Sequence, residues 1–459
     1  MSLFGSLTSA SRALEAQRFG LDVTGQNIAN INTPGYTRRE VDFAAVAPAD
    51  RMSAGGGVNA TGIRTIRDAM LERRFRQELP DERRQAAIAE TLSLVEVALG
   101  GPGRSLDAQL TAFFDGWARL AEDPLSATAR QAVVQQGQTM AASVRDLAGR
   151  LSLAERDTNV RVGAGVSDIN GLVTRIAALN QSIASVGGGN AGQTATLRDQ
   201  QGEELRKLAG LVGVEVLTRA DGGVDVSFAG GRPLVIGHIG YAVEAVPAAG
   251  TGLIQIHSGG VDVTAAVTAG TLGGLLHTRD TLIPGYKSDL DTLAHTLATE
   301  INALHSAGFD RAGVAAGNFF EPPAAVAGAA AGLRVEAALI ADPSRVAAAA
   351  VASPGDNAQA RAMANLRDGL VMNGGTATLH DGWGNLLYRV GADTQAARFE
   401  QRTRAEIVRQ IENLRDGISG VSLDEEAMRM LKFQRAYEAN ARFFRAIDES
   451  IDVLLSLKR

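Results

Sequence analysis

The two ends of this 459-residue chain carry matching apolar stripes, and no other feature of the sequence constrains the fold as strongly. Near the start, Leu3, Leu7, Ala10, Leu14, Leu21, Ile28 and Ile31 fall on steps of three and four or whole heptads, with Gln17 and Thr24 as polar gaps. Near the end, Leu423, Ala427, Met430, Tyr437, Phe444, Ile451 and Leu454 or Leu455 make a comparable seam, broken at Gln434, in a segment free of Gly and Pro. A stripe of that width needs another helix to cover it, so the chain is expected to begin and end in one bundle. The first helix is predicted from about Ser2 to Ile31, where Asn32-Thr33-Pro34-Gly35 stops it and turns the chain.

The last helix marks its own start. Ser422 followed by Glu425 reads as a capping box, and Asp424, Glu425 and Glu426 place negative charge at the positive end of the dipole, with Lys458 and Arg459 at the other end. At about 1.5 Å per residue, the stretch from Leu423 to Leu457 would span about 50 Å, which suits a rod-like assembly better than a compact core. Alone, both terminal helices would expose their stripes, so they are expected to be disordered in the monomer and to fold on association.

Between the ends the pattern is mainly α with an inserted β domain. Arg38 to Gly62 suits an extended or hairpin segment around Gly55-Gly56-Gly57, and helix resumes from Ile66 to Leu99, with Pro80 as a kink or a fresh first turn. Leu106, Leu110, Phe113, Trp117 and Leu120 share a helix face, and helical patterns continue over Val133 to Leu151, Val166 to Val186 and Thr196 to Ala209. Val214, Val216, Val224, Val226 and Phe228 then alternate about Asp221-Gly222-Gly223, a β-hairpin signal, and Ile254, Ile256, Val261 and Val263 alternate again. Helix returns over Asp280 to Ala307 and Thr394 to Asp416. Glu321 to Ala331, rich in Pro and Ala, reads either as linker or as helix. The expected domains are therefore 1–45 with 420–459 as terminal axial helices, 46–209 with 278–419 as a helical rod-like body, and 210–277 as a small β-rich outer domain.

Composition argues against several functions. There is no Cys, which removes disulfides, thiolate metal sites and Cys nucleophiles, and no run of Lys or Arg makes a nucleic-acid footprint at a net charge of -6. No apolar run reaches membrane-spanning length, and Met1 to Gly20 lacks the basic start and apolar core of a cleaved secretory signal. Gly187-Gly188-Gly189-Asn190-Ala191-Gly192 matches a dinucleotide fingerprint in letters only, because it follows a helix rather than a strand. The six histidines, His238, His257, His277, His295, His305 and His380, show no metal-ligand spacing, and no nucleophile elbow or paired carboxylates stand out. No catalytic, metal or cofactor residue is assigned.

At the first turn the residues carry a resemblance. Gln26-Asn27-Ile28-Ala29-Asn30-Ile31-Asn32-Thr33-Pro34-Gly35-Tyr36-Thr37-Arg38 resembles the N-terminal signature of the axial proteins of the bacterial flagellum, and Pro34 with Arg38 is most like its hook-associated members. Gly420 to Ala427 and Phe433 to Ala441 are similar to the matching C-terminus. Phe113-Phe114 to Gln138 resembles the helical domain of those members, and Gly273-Gly274-Leu275-Leu276 to Asp310 resembles the segment after their β domain. The resemblance implies a structural subunit at the junction of hook and filament, standing in a ring of its own copies between the hook protein and a second junction protein. It further implies type III export without signal cleavage, an extracellular position in the flagellum, and a chaperone that holds the C-terminal helix before export. Longer members carry a second β insertion after the segment matching Asn318-Phe319-Phe320, and this chain has no room for it.

The expected assembly signature is thus Asn27, Asn30, Asn32, Thr33, Pro34, Gly35, Tyr36 and Arg38. The expected seams are Leu3, Leu7, Leu14, Leu21 and Ile28 on the first helix, and Leu423, Met430, Tyr437, Phe444, Ile451 and Leu455 on the last. By pattern alone Asn27, Asn30 and Asn32 could equally cap and break a helix, since Asn tolerates left-handed backbone. A hook or distal-rod subunit is the neighbouring alternative, and an enzyme carried on an axial scaffold is the alternative of another class.

Overall fold

The computed structural model describes residues 3–47, 56–100, 106–187, 190–353 and 355–456; Gly55, Gly188, Gly189, Leu457, Lys458 and Arg459 lie outside the described residues. Helix α1 (Leu3–Ala29) and helix α12 (Leu423–Ser456) pack antiparallel, with Gly20 against Phe433 and Asn27 against Glu426. A Cβ on Gly20 would stand 2.8 Å from the Phe433 ring, so the absence of a side chain there is what lets the two helices approach. After the Thr-Pro-Gly-Tyr turn the chain forms an antiparallel hairpin, β1 (Arg39–Ala45) and β2 (Val58–Thr65), with a bulge between Asp42 and Phe43. The hairpin lies along the terminal pair: Gly57 is pressed against Ser9, and the Phe43 and Phe433 rings are 6.1 Å apart.

The helical body consists of α2 (Ala69–Leu99), α3 (Leu106–Glu122), α4 (Ala127–Val186), α5 (Ala191–Leu211), α6 (Gly270–His277), α7 (Ile283–Ser306), the short α8 (Ala329–Gly332), α9 (Ala337–Ala341) and α10 (Ala358–Asn365), and α11 (Leu379–Ser419). Asp68 caps α2 by accepting from the N–H groups of Met70 and Leu71, and the helix runs through Pro80 as one element. The stretches read at Val133 to Leu151 and Val166 to Val186 are one helix of 60 residues, α4. Its glycines are notches for neighbours: a Cβ at Gly137 would meet Phe319 at 2.8 Å and one at Gly163 would meet Ile254 at 2.8 Å. The Ala-rich stretch resolves into turns up to Gly328 and then α8, held by Asp291, which accepts from the N–H groups of Gly328 and Ala330.

The core of the body is aromatic at its centre. Phe113, Trp117, Phe319 and Phe320 are fully enclosed, with ring centroids 4.9 to 6.2 Å apart among Phe113, Trp117, Phe319 and Phe320. Such tilted and edge-on pairs follow from the aromatic quadrupole. His305 packs edge-on against Trp117 and Phe319; its Nδ1 lies 2.7 Å from the Gly317 carbonyl, and its Nε2 accepts from Ala347 N–H at 3.0 Å. Accepting at Nε2 requires the neutral ring, and burial pushes the His305 pKa down to about 4.

The strands form two small sheets beside α4. The first is β3 (Val214–Thr218), β4 (Val224–Phe228), β5 (Arg232–Ile236) and β6 (Ile239–Gly240); the second is β7 (Val243–Pro247), β8 (Ile254–Ser258) and β9 (Val261–Asp262). Three asparagines of α4 clamp their backbones. Asn180 donates to Val224 O at 2.7 Å and accepts from Val224 N at 3.0 Å, Asn170 does the same for Val243 at 2.8 Å both ways, and Asn159 accepts from Ile254 N at 2.8 Å. Spacings of ten and eleven residues bring these amides back to one helix face, so a single helix carries both sheets.

Candidate assembly site

The arrangement that joins the two ends begins at Asn27, which is fully enclosed where α1 ends. Its amide nitrogen donates to Glu426 Oε2 and to the Arg39 carbonyl, both at 2.9 Å. Its oxygen accepts from Tyr36 OH at 2.9 Å and from Arg39 N–H at 3.1 Å. One amide therefore holds the helix end, the turn, the first strand and the last helix together. Asn30 and Thr33 shape the turn itself: Asn30 donates to the Gln26 carbonyl, and Thr33 donates to Asn30 Oδ1. Gly35 has φ +77, a backbone that favours glycine, and a Cβ there would have to push the Glu203 side chain of α5 aside. Asn32 and Pro34 lie exposed on the outside of the turn.

Arg38 closes the arrangement from the other side. Its Nε donates to Glu426 Oε1 at 3.0 Å, its Nη2 to Glu425 Oε2 at 2.5 Å, and its backbone N–H to the Ser419 carbonyl at the end of α11. Burial opposes the Arg38 charge, but the two carboxylates outweigh it and raise its pKa. Beyond Arg38, Arg429 pairs with Glu40 at 2.6 Å, which holds the Glu40 carboxyl below its ordinary range against the burial that would raise it. Inward, Arg39 and Arg67 share the carboxylate of Asp199 at 3.1 and 2.5 Å, anchoring the turn to α5. Tyr36 lies under Arg39, 4.8 Å from ring centroid to guanidinium, and burial raises its phenol pKa.

Two sequence expectations change here. The reciprocal cap of Ser422 and Glu425 is not formed, because Glu425 reaches Arg38 instead; only a backbone bond, Glu426 N–H to Ser422 O, closes that turn. A capping box stands at Thr378 and Asp381, at the start of α11. The seams are also rotated. The enclosed positions of α1 are Ala10, Ala16, Gly20, Val23, Thr24 and Asn27, whereas Leu3, Leu7, Leu14, Leu21 and Ile28 are half-buried. On α12 only Glu426 and Ile447 are enclosed; Met430, Phe444 and Ile451 are half-buried, and Leu423, Tyr437 and Leu455 are exposed. On α1 small residues make the close contact, with Phe433 of α12 over Gly20, and the leucines stand at its margins. Glu426, Arg39, Arg67 and Asp199 were not singled out as site residues from sequence. Glu426 had a signal: it falls four residues before Met430 on the inward face, where a lone carboxylate calls for a partner.

Among the described residues, no helix is long and apolar enough to cross a membrane, and no group of three His, Asp or Glu side chains gathers as a metal site.

Residues 92–320 match the sequence model of the flagellar hook-associated protein FlgK helical domain. Residues 7–37 match the flagella basal body rod protein model, and residues 417–457 match the C-terminal model of the flagellar basal body rod FlgEFG proteins. The chain is 28% identical to flagellar hook-associated protein 1 of Bacillus subtilis, over 99% of this chain and 98% of that one. It is 24% identical to the Escherichia coli protein of the same name, over 98% of this chain and 99% of that one. The solved structure of the flagellar hook junction protein FlgK from Burkholderia pseudomallei superposes with a TM-score of 0.67 at 16% identity, covering 75% of this chain and all of that one, so the fold is shared.

Proposed function

Since the chain belongs to the flagellar hook-associated FlgK family, we infer that it is a structural subunit of the bacterial flagellum that forms the junction between hook and filament. The observation that carries this reading is the joining of both chain ends at one signature turn, with large apolar side chains left at the margins of the helix pair. Those margins, including Leu14, Leu21, Tyr437, Phe444 and Leu455, are the surface on which neighbouring copies would close in a ring. Burial contributes about 25 cal/mol per Å² of apolar area, set against the ordering of the ends, so the terminal helices become fully enclosed only within the assembly. The signature residues Asn27, Asn30, Asn32, Thr33, Pro34, Gly35, Tyr36 and Arg38 shape the turn from which the ring contacts start.

The partners in this reading are copies of the chain, the hook protein on one side, a second junction protein on the other, and an export chaperone that covers the C-terminal helix beforehand. The subunit leaves the cell through the flagellar type III channel and works outside it, with no catalytic step. A rod or hook subunit is the reading the two ends alone would support, because rod-protein models match there. The match of 92–320 to the hook-associated helical domain favours the junction.

Deleting the gene in its host and viewing envelope-attached structures by electron microscopy, with flagellin assayed in the medium, tests the assignment. Complete hooks without filaments, and flagellin lost to the medium, are expected. Absent hooks would move the subunit to rod or hook, and normal filaments would overturn the axial reading.

A further inference from the structure

The contact between α1 and α12 is close where Phe433 lies over Gly20. Its enclosed positions on α1 are small or polar, and the inward face of α12 carries two heptad rows, Glu426, Phe433, Asn440 and Ile447 on one and Met430, Phe444 and Ile451 on the other. Paired residues run in antiparallel register, Asn27 with Glu426 and Gly20 with Phe433, seven residues apart on both helices. Sliding one helix by a heptad, about 10.5 Å at 1.5 Å per residue, would lose the fit of Phe433 over Gly20 yet again set small residues of α1 against the α12 rows, so apart from that one fit apolar burial discriminates poorly between registers. The polar group does discriminate. In one slipped register Asn27 faces Phe433 and Glu426 passes beyond the helix; in the other Glu426 faces Gly20 and loses both Asn27 and Arg38.

We propose that Asn27 and Glu426, braced by Arg38, are positioning residues that set the register of the terminal helix pair. Both are enclosed, and the desolvation of a buried carboxylate offsets much of what its bonds return, so the pair adds little net attraction to the helix contact itself. What the polar lock supplies is a single alignment, the best-attested role for a buried polar pair in a helical seam. Every oxygen of Glu426 is used: Oε1 by Arg38 and Oε2 by Asn27. A ring needs one alignment, because each copy must present the margins of its helix pair at the same height to the next; in that respect the lock rests on the junction reading.

The chain has no cysteine of its own, so engineered pairs report register without ambiguity. In the otherwise unaltered full chain, Gly20→Cys with Phe433→Cys is expected to oxidise to one intramolecular disulfide, and Gly20→Cys with Asn440→Cys, a heptad away, is not. Adding Asn27→Leu and Glu426→Leu also strips the Arg39 backbone and the Tyr36 hydroxyl of their partner, so the melting midpoint is expected to fall, while the 20–433 bridge gives way to a mixture that includes 20–440. Persistence of the 20–433 bridge alone would overturn the proposal. Glu426→Gln, which keeps an acceptor for Asn27, is expected to restore the single bridge. If the double leucine chain does not fold, Glu426→Ala carries the test with the same two bridges: a slip supports the lock and an unslipped pair overturns it. The bridges are read on purified protein, so their outcome is independent of whether deletion of the gene gives the junction phenotype.

Discussion

The helical body and the terminal pair use the same element, a long helix against another helix, in opposite ways. In the body the largest side chains are enclosed: Phe113, Trp117, Phe319, Phe320 and Tyr286 are all within 1% of full burial. In the terminal pair the enclosed residues of α1 are small or polar, those of α12 are Glu426 and Ile447, and Leu14, Leu21, Met430 and Phe444 are left half-covered. A core built the first way is closed within the single chain, although Tyr388 and Phe399 on the outside of α11 stay exposed. A pair built the second way has a defined contact but an unfinished surface, which is what a subunit needs if its last folding step is to happen against a neighbour.

The largest effect should follow from opening the finished region. Trp117→Ala removes a fully enclosed indole from contact with Phe113, Phe319 and His305 and should cost about 3–5 kcal/mol, read as a fall in the denaturant midpoint of the body. If that loss were below about 1 kcal/mol, the contrast between the two regions would collapse.

Acid attacks the same core by another route. His305 is neutral in the fold with a pKa near 4, against 6.5 for the unperturbed ring. The unfolded chain therefore binds more protons than the folded one between these values. The resulting stability is present in full above about pH 6.5, is lost as pH falls towards 4, and amounts to about 3 kcal/mol at 1.36 kcal/mol per pH unit. His305→Gln should flatten this part of the pH–stability profile, and an unchanged slope would remove His305 as its cause.

A smaller effect tests the attachment of the sheets. Asn180→Ala takes two bonds from Val224 and one each from Gln201 and Gly237, and leaves buried backbone groups unpaired. A loss of about 1–3 kcal/mol is expected, with faster hydrogen exchange confined to β4 and the turn at Gly237. Exchange that rose equally in α3 would show that the sheets and the aromatic core open as one unit.

Much of this could be read from the sequence because it depends on local pattern. The hairpin about Asp221-Gly222-Gly223 forms with Val214 opposite Phe228, as the alternation requires, and the face of Leu106, Leu110, Phe113, Trp117 and Leu120 is buried. What could not be read depends on convergence. Asp199 stands 160 positions from the Arg39 it binds, and Asn27 stands 399 from Glu426, so no spacing rule links them. The rotation of the terminal seams was hidden for a different reason. Gly20 and Ala16 carry almost no hydrophobic signal, so a periodicity argument follows the leucines beside them. The length of α4 was hidden because Gly163 and Gly165, in the gap between the two stretches, read as weak helix positions, although Gly163 is a notch for Ile254 and Gly165 lies against Leu272. In the terminal pair the close contact on α1 is made by residues that an apolar pattern overlooks, and the leucines it does see stay half-covered.

Phe444→Asp and Leu14→Asp sharpen that last distinction. Both positions are half-buried in the single chain, so the charge can stay hydrated at the margin, and the melting of the body should shift by less than about 1 kcal/mol. Within a closed ring the same carboxylate would lose its water with no cation provided for it, and an uncompensated buried charge costs several kcal/mol at every copy. The expected outcome is a chain that is exported and folds its body normally, yet leaves hooks bare when it replaces the wild type in a deletion strain. Filaments of normal number and length on those hooks would show that the margins stay wet in the assembly, and the neighbour-facing surface would then have to be sought on the body.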